Sequence, residues 1–305
     1  MSDENGRSIR PRMLEALRDT LIEVETWRSR YLSSKMFREK TSATEHVEGF
    51  LTICRLAARY DCIFREFKRN RHYKSVLEHV SEELGQEYLE SIKEEGEELL
   101  KYVSQFQEND LLGSPITFEY DVGRFSPTTL RYVKVLADLK KLFGSLNGFD
   151  ICEIGAGYGG QCKIVCDVFN VGSYTIVDLE TVLPLVRKYL GRLEVKNTVY
   201  LTQDQITEGK EFDLVISNYA FSECIRRVQD YYLDGILNKA HRGYITYNYG
   251  GTANAKSPYH KDEIVRRLSG RHVVHILDEK PKTAPMNFIL VWDDTNQSMT
   301  RSVDP

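Results

Sequence analysis

The segment Glu153-Ile154-Gly155-Ala156-Gly157-Tyr158-Gly159-Gly160-Gln161 constrains the fold of this chain more than any other. An apolar run ends in Ile151-Cys152 just before it, and a helix-patterned stretch with Ile164, Val165, Val168 and Phe169 follows. A strand must therefore end here, turn sharply and give way to a helix. Glycines serve where φ is positive and where the backbone must touch a ligand that a Cβ would displace. Such a loop is suited to lie against a nucleoside-containing cofactor. Asp178 follows about twenty residues later, at the expected end of the next strand, where a carboxylate can accept hydrogen bonds from both ribose hydroxyls.

Around this segment the apolar period changes. Strand-like runs at Phe149 to Ile154, Tyr174 to Val177, Thr198 to Leu201, Phe212 to Ser217 and Tyr244 to Tyr247 alternate with helical stretches, the order of a doubly wound parallel sheet. A helix is expected near Asp262 to Leu268. Two further runs, His272 to Leu277 and Asn287 to Trp292, are separated by the proline-containing stretch Asp278 to Pro285. That stretch is too short for a crossover helix, so the two should pair antiparallel. The fold class is α/β, a mostly parallel seven-stranded sheet ending in an antiparallel hairpin.

Before the sheet, Pro11 to Phe106 reads as helix. Leu14, Leu17, Leu21, Val24, Trp27 and Tyr31 make one amphipathic stripe. Phe50, Leu51, Ile53, Leu56 and Ala57 begin a second run that extends towards Phe64 and Phe67, and Val76 to Phe106 forms a third with breaks expected near Gly85 and Gly96. The expected organisation is an all-helical domain or cap over 1–110, a linker over 111–125, a cofactor-binding domain over 126–295 and a tail over 296–305. Ser126 should cap the helix opened by Pro127, which should bury Leu130, Val133, Leu136 and Phe143. The helical region should cover the pocket mouth or form a subunit contact, giving a homo-oligomer.

With 305 residues, 28% of them charged and a net charge of -4, the chain has no basic surplus for duplex recognition, and no nucleic-acid partner is expected. The polar stretch Met1 to Arg12 has no apolar core of a secretory signal, and no run approaches a membrane span, so a cytoplasmic location is expected. Cys54, Cys62, Cys152, Cys162, Cys166 and Cys224 show no ligand-pair spacing and read as free thiols. Cys162 and Cys166 lie one helical turn apart without a nearby histidine, and no dense Asp/Glu cluster stands out, so no metal is expected.

Gly155, Gly157 and Gly160 also satisfy the dinucleotide fingerprint of NAD enzymes. Three features tip the balance: Glu153 two residues before the first glycine, the helical elements ahead of the first strand and the terminal hairpin. An acid at Glu153 suits the cationic methionyl amino group of S-adenosylmethionine and would repel a pyrophosphate. Four further segments accompany the glycine segment: Ser126-Pro127-Thr128-Thr129-Leu130-Arg131-Tyr132, Ser217-Asn218-Tyr219-Ala220-Phe221-Ser222-Glu223, Gly243-Tyr244-Ile245-Thr246-Tyr247-Asn248 and Asn287-Phe288-Ile289-Leu290-Val291-Trp292. In these five segments the chain resembles a family classed as sugar O-methyltransferases among polysaccharide-biosynthesis proteins. The resemblance covers roughly Gly123 to Trp292. Ala156 stands where the family often has glycine.

The resemblance implies a Rossmann-like class I methyltransferase that moves a methyl group from S-adenosylmethionine to a hydroxyl of a sugar, nucleotide sugar or glycan. A sugar hydroxyl is a poor nucleophile while protonated, so a positioned general base is required. Glu223 is one candidate, with a helix-dipole carboxylate as its structural alternative. His260 is the other, because a loop histidine titrates near neutrality. The expected cofactor contacts are Thr129, Arg131, Glu153, Gly155, Ala156, Gly157, Tyr158, Gln161, Asp178, Leu179, Gln203, Asp204, Ser217, Asn218 and Tyr219. Arg131 is read as a partner of the methionine carboxylate or of an acidic substrate group, or equally as a helix-surface charge. Tyr219, Ser222, Tyr247, Asn248, Tyr249 and Tyr259 are expected to line the acceptor pocket, the tyrosine rings packing on a sugar face. A methyltransferase of another small molecule or a protein, and a non-catalytic nucleotide-binding module, are the competing readings.

Overall fold

The computed structural model describes residues 16–27, 42–47, 49–206, 209–248 and 258–295. A seven-stranded sheet forms its centre, in the order β5-β4-β3-β6-β7-β9-β8. The strands are β3 (Asp150–Ile154), β4 (Ser173–Val177), β5 (Thr198–Leu201), β6 (Leu214–Asn218), β7 (Arg242–Tyr247), β8 (His275–Asp278) and β9 (Phe288–Asp293). The first five run parallel, and β9 is inserted antiparallel between β7 and β8. This is the doubly wound sheet with a terminal hairpin expected from the apolar periodicity. Strand order reverses between β3 and β6, and in such sheets ligands bind beyond the carboxyl ends of the strands at that switch point.

The hairpin is keyed to the parallel strands by one close approach. Gly243 on β7 faces Trp292 on β9, and a Cβ on Gly243 would stand 2.1 Å from the indole ring. The indole fills that space, donates from Nε1 to the Ala240 carbonyl at 3.0 Å and stacks on His272 at 4.9 Å. His272 is therefore a buried packing residue ahead of β8 rather than its first residue.

The principal helices are α1 (Phe50–Arg59), α2 (Glu82–Gly96), α3 (Pro127–Phe143), α4 (Gly160–Val168), α5 (Leu183–Arg192), α6 (Arg226–Gly235) and α7 (Lys261–Ser269). Ser126 caps α3 as expected, its Oγ accepting from the Thr129 amide at 3.2 Å. Leu130, Val133 and Leu136 are buried in that helix, while Phe143 at its end is half-buried. α2 runs through Gly85 without a break and ends at Gly96. The second run stops at Tyr60, where extended backbone separates α1 from the turn Asp61–Phe64.

Helices α1 and α2 join the sheet in one hydrophobic cluster that runs from Phe50 through Leu89 and Leu136 to Ile176 and Val291. Residues 111–125 contain a short antiparallel hairpin, β1 (Phe118–Tyr120) with β2 (Gly123–Phe125). The helix over 16–27 docks differently from its apolar pattern. Leu17, Leu21, Val24 and Trp27 are exposed, whereas Ile22 and Thr26 are buried. Glu23 on this helix pairs with Arg71 and Glu25 with Arg55. Leu14 and Tyr31 lie outside the described residues.

Replacing Gly243 by Ala should lower the urea midpoint, with a loss of about 1–3 kcal/mol as Trp292 is forced from its site. An unchanged midpoint would mean that the β7–β9 contact yields without cost.

Candidate active site

A cleft of about 1320 Å³ opens at the carboxyl ends of β3, β4, β5 and β6. Its floor is the loop after β3. Gly155 has φ +77° and a Cβ there would stand 2.0 Å from Ala220 Cβ; Gly157 has φ +62° and presses against Leu77. No other residue type meets both demands at these positions.

Glu153, at the end of β3, is buried beneath this loop, and its Oε2 accepts from Tyr174 Oη at 2.9 Å. Burial, reinforced by the nearby Asp178 charge, pushes its carboxyl up to about 8. A cationic ligand group beside it would draw the proton off and form an ion pair in a low-dielectric site. Asp178 lines the next stretch of wall. Its Oδ1 accepts from the Leu179 amide at 2.7 Å and its Oδ2 from the Gly157 amide at 3.3 Å. Burial holds its carboxyl at about 6 despite these bonds. Each oxygen keeps a second lone pair for a ligand hydroxyl. Leu179, Gln203 and Asp204 continue this wall beside Tyr200, whose ring is covered by Arg187 at 4.4 Å.

On the opposite side of β3, the chain leaves β6 through Asn218 and Tyr219. Asn218 Nδ2 donates to Gln161 Oε1 at 3.2 Å, and Gln161 Nε2 donates to the Tyr132 carbonyl at 3.2 Å. Gln161 is fully buried, so it orients Asn218 from behind instead of touching a ligand. Tyr219 has φ +68°, an uncommon conformation for a bulky residue. Its hydroxyl is tied to Glu279 and Thr283 in the loop between β8 and β9. Glu223 lines the cleft at the end of the turn Ala220–Glu223 and accepts from Asn248 Nδ2 at 3.4 Å. Burial raises its carboxyl above the ordinary value, partly offset by Asn248 and the Arg131 charge.

Several expected contacts lie behind the wall. Thr129 is buried, its Oγ1 donating to Asp110 Oδ1 at 2.8 Å. Tyr158 turns into an aromatic group with Phe67, Tyr132 and Tyr189, with Lys68 Nζ 4.0 Å from its ring centre. Ser217 Oγ donates to the Ile154 carbonyl at 2.9 Å and accepts from the Phe221 amide, so it fastens the β6 turn to the glycine loop. Ser222 does likewise, linking the Tyr219 carbonyl to the Asn248 amide. Tyr247 and Tyr259 are core residues, the Tyr247 hydroxyl donating to the Tyr259 carbonyl. His260 is exposed at the N-cap of α7 and does not line the cleft. Tyr249 lies outside the described residues.

The remaining walls come from positions that the sequence pattern did not single out. Leu77, His79, Val80 and Leu84 close one side, Ser42, Ala43, Thr44, Val47 and Phe50 another, and Thr283 and Asn287 a third. No local signal marks them, because long-range packing alone brings them here. Among the described residues no cluster of His, Cys, Asp and Glu is arranged as a metal site, and no helix is long and apolar enough to cross a membrane.

No protein-family model and no curated protein matches the chain. Solved methyltransferases are similar to it. The magnesium protoporphyrin IX methyltransferase ChlM from Synechocystis PCC 6803, with bound S-adenosylhomocysteine, superposes at a TM-score of 0.43 with 15% identity, covering 53% of this chain and 82% of that one. The methyltransferase domain of the bacterial protein CtHen1 gives 0.41 with 12% identity, covering 53% and 97%. An rRNA methylase from Streptococcus thermophilus gives 0.37 with 14% identity, covering 48% and 88%.

The raised Glu153 carboxyl has a signed consequence. A carboxyl with a folded value near 8 and an unfolded value of about 4.3 contributes stability that is lost as pH rises between them. Between about pH 5 and about pH 8, the melting temperature of Glu153→Gln should therefore rise relative to the wild type. A constant offset across that range would show that Glu153 ionises normally.

Proposed function

We propose that this protein is an S-adenosylmethionine-dependent O-methyltransferase acting on a hydroxyl of a sugar, nucleotide sugar or glycan in polysaccharide or glycoconjugate biosynthesis. The observation that carries the reading is Glu223: a carboxylate on the cleft wall, held by Asn248 and made more basic by burial, on the segment that leaves the switch-point strand β6. The residues of the cleft fit the donor. Glu153 would take its amino group, Asp178 its ribose hydroxyls, and Leu179 with the turn Gln203–Gln205 its base. S-adenosylmethionine supplies an activated methyl group when bound.

The protein's own residues then do three things. Glu223 accepts the proton of the acceptor hydroxyl as the oxygen becomes nucleophilic. Asn218, braced by Gln161, and Tyr219, braced by Glu279, fix the acceptor side of the pocket. Leu77 and Val80, in the segment before α2, and Leu84 on α2 add apolar wall that limits water in the cleft. The sugar class is supported by the motif resemblance, whose five segments converge on this cleft through Arg131, the glycine loop, Glu223, Asn248 and Asn287. His260, as a helix cap outside the cleft, is not proposed as the base.

Labelled S-adenosylmethionine incubated with the protein and a panel of sugars, nucleotide sugars and glycans should yield a methylated hydroxyl by mass spectrometry. Methylation confined to amines or carboxyls would refute the reading. On the true acceptor, Glu223→Gln should cut kcat by about 10² to 10⁴-fold while S-adenosylmethionine affinity holds. His260→Ala should leave kcat nearly unchanged. Asp178→Ala should weaken calorimetric binding of the donor by about 1 to 3 kcal/mol, and an unaltered Kd would remove Asp178 from the ribose site.

A further inference from the structure

The wall of the cleft holds a buried positive charge with which no carboxylate among the described residues forms an ion pair. Arg131, in the N-terminal half of α3, is 8% exposed. Its Nη2 meets the Leu77 carbonyl at a long 3.5 Å, its side chain also bonds that of Tyr132, and its Nε has no hydrogen-bond partner. The guanidinium lies 5.6 Å from the Tyr132 ring centre and 5.8 Å from that of Tyr219. Ring faces offset part of the cost of burying a cation, but they leave Nε, on the planar N–H edge, unsatisfied. Two acids act on it without an ion pair: Glu78, which is pushed up to about 7 by burial and also faces Lys68, and Glu223 on the cleft wall.

The geometry narrows what could satisfy this edge. Tyr219, which flanks the guanidinium, and Glu223 follow the same strand and line the same chamber, with Thr283 beside the Tyr219 hydroxyl. A fork of N–H donors matches a carboxylate in two parallel hydrogen bonds. A phosphate dianion would call for a second cation, and His79, the other basic group on this wall, is pulled towards its neutral form by burial and by Arg131 itself.

We propose that the acceptor carries a carboxylate and that Arg131 receives it, so that the substrate is an acidic hydroxyl compound of the uronic acid class whose hydroxyl faces Glu223. This rests on the cleft being a hydroxyl-methylating site. The rival source of the same chemistry is the carboxylate of the methyl donor, and the test separates the two.

Thermal shifts are measured with glucuronate and galacturonate against glucose and galactose, with and without saturating S-adenosylhomocysteine. Calorimetry compares S-adenosylhomocysteine with its decarboxylated analogue. Each is run on the wild type, Arg131→Gln and Arg131→Lys. The acidic sugars should raise the melting temperature more than their neutral counterparts in the wild type, in part in Arg131→Lys, and not in Arg131→Gln. Loss of the donor carboxylate should change affinity by the same factor in the wild type and Arg131→Gln. The proposal is overturned if acidic and neutral sugars act alike on the wild type, a comparison that needs no variant. It is equally overturned if decarboxylation weakens binding at least tenfold in the wild type but not in Arg131→Gln, which assigns the guanidinium to the donor. Failure of S-adenosylhomocysteine to bind at all would refute the cofactor reading separately, since the sugar comparison is also made without it.

Discussion

The close contact between the loop after β3 and the turn after β6 is the constraint on which the rest of the cleft depends. Gly155 leaves no room for a side chain against Ala220, and Ser217 bonds the Ile154 carbonyl and the Phe221 amide across the same junction. The two strands flank the switch point, so this junction sets how far apart their carboxyl ends can open. Glu153, Asn218 and Glu223 inherit their positions from it. A side chain at Gly155 would separate the loop from the turn and displace the proposed donor-binding and acceptor-binding groups together.

Behind that contact stands a polar and aromatic scaffold that never reaches the ligand space. Lys68, fully buried, donates to the Asn109 carbonyl at 2.7 Å and lies over the Tyr158 ring, while Tyr189 Oη donates to the Asn109 carbonyl at 2.6 Å. Asn109 in turn reaches Thr129, and Asp110 accepts from Ser126 and Thr129 at the start of α3. One buried network thus ties the glycine loop, α3, α5 and the turn Glu108–Asp110 together. Burying these groups is costly unless each finds a partner, and once partnered they permit few alternative arrangements. This rigidity gives Gln161 and Asn218 a fixed base.

The acidic groups of the cleft are tuned by depth more than by neighbours. Glu153, Asp178 and Glu223 are all raised by burial, and Arg131 partly offsets the effect at Glu223. A carboxyl that holds its proton near neutrality until a cation arrives suits an ammonium-bearing ligand at Glu153. One that is moderately basic suits proton removal from a hydroxyl at Glu223. The N-terminal helices contribute by burying these groups, which is why a region with little motif character still shapes the chemistry.

The amino-acid sequence by itself determined the sheet, its parallel order, the terminal hairpin, the capped start of α3 and the loop that meets Asp178, because those features rest on local period, capping and backbone freedom. It also marked Tyr158 and Gln161, but as cofactor contacts. Only tertiary packing showed that Tyr158 and Gln161 act from behind the wall, that Thr129, Ser217 and Ser222 are fasteners, and that Tyr247 and Tyr259 belong to the core. A motif records that a residue type is demanded at a position, not which side of the backbone makes the demand. The outward stripe of the helix over 16–27, the removal of His260 from the cleft and the arrival of Leu77, His79 and Thr283 were likewise decided by packing. Each depends on surfaces far apart in the chain, whose meeting no local pattern encodes.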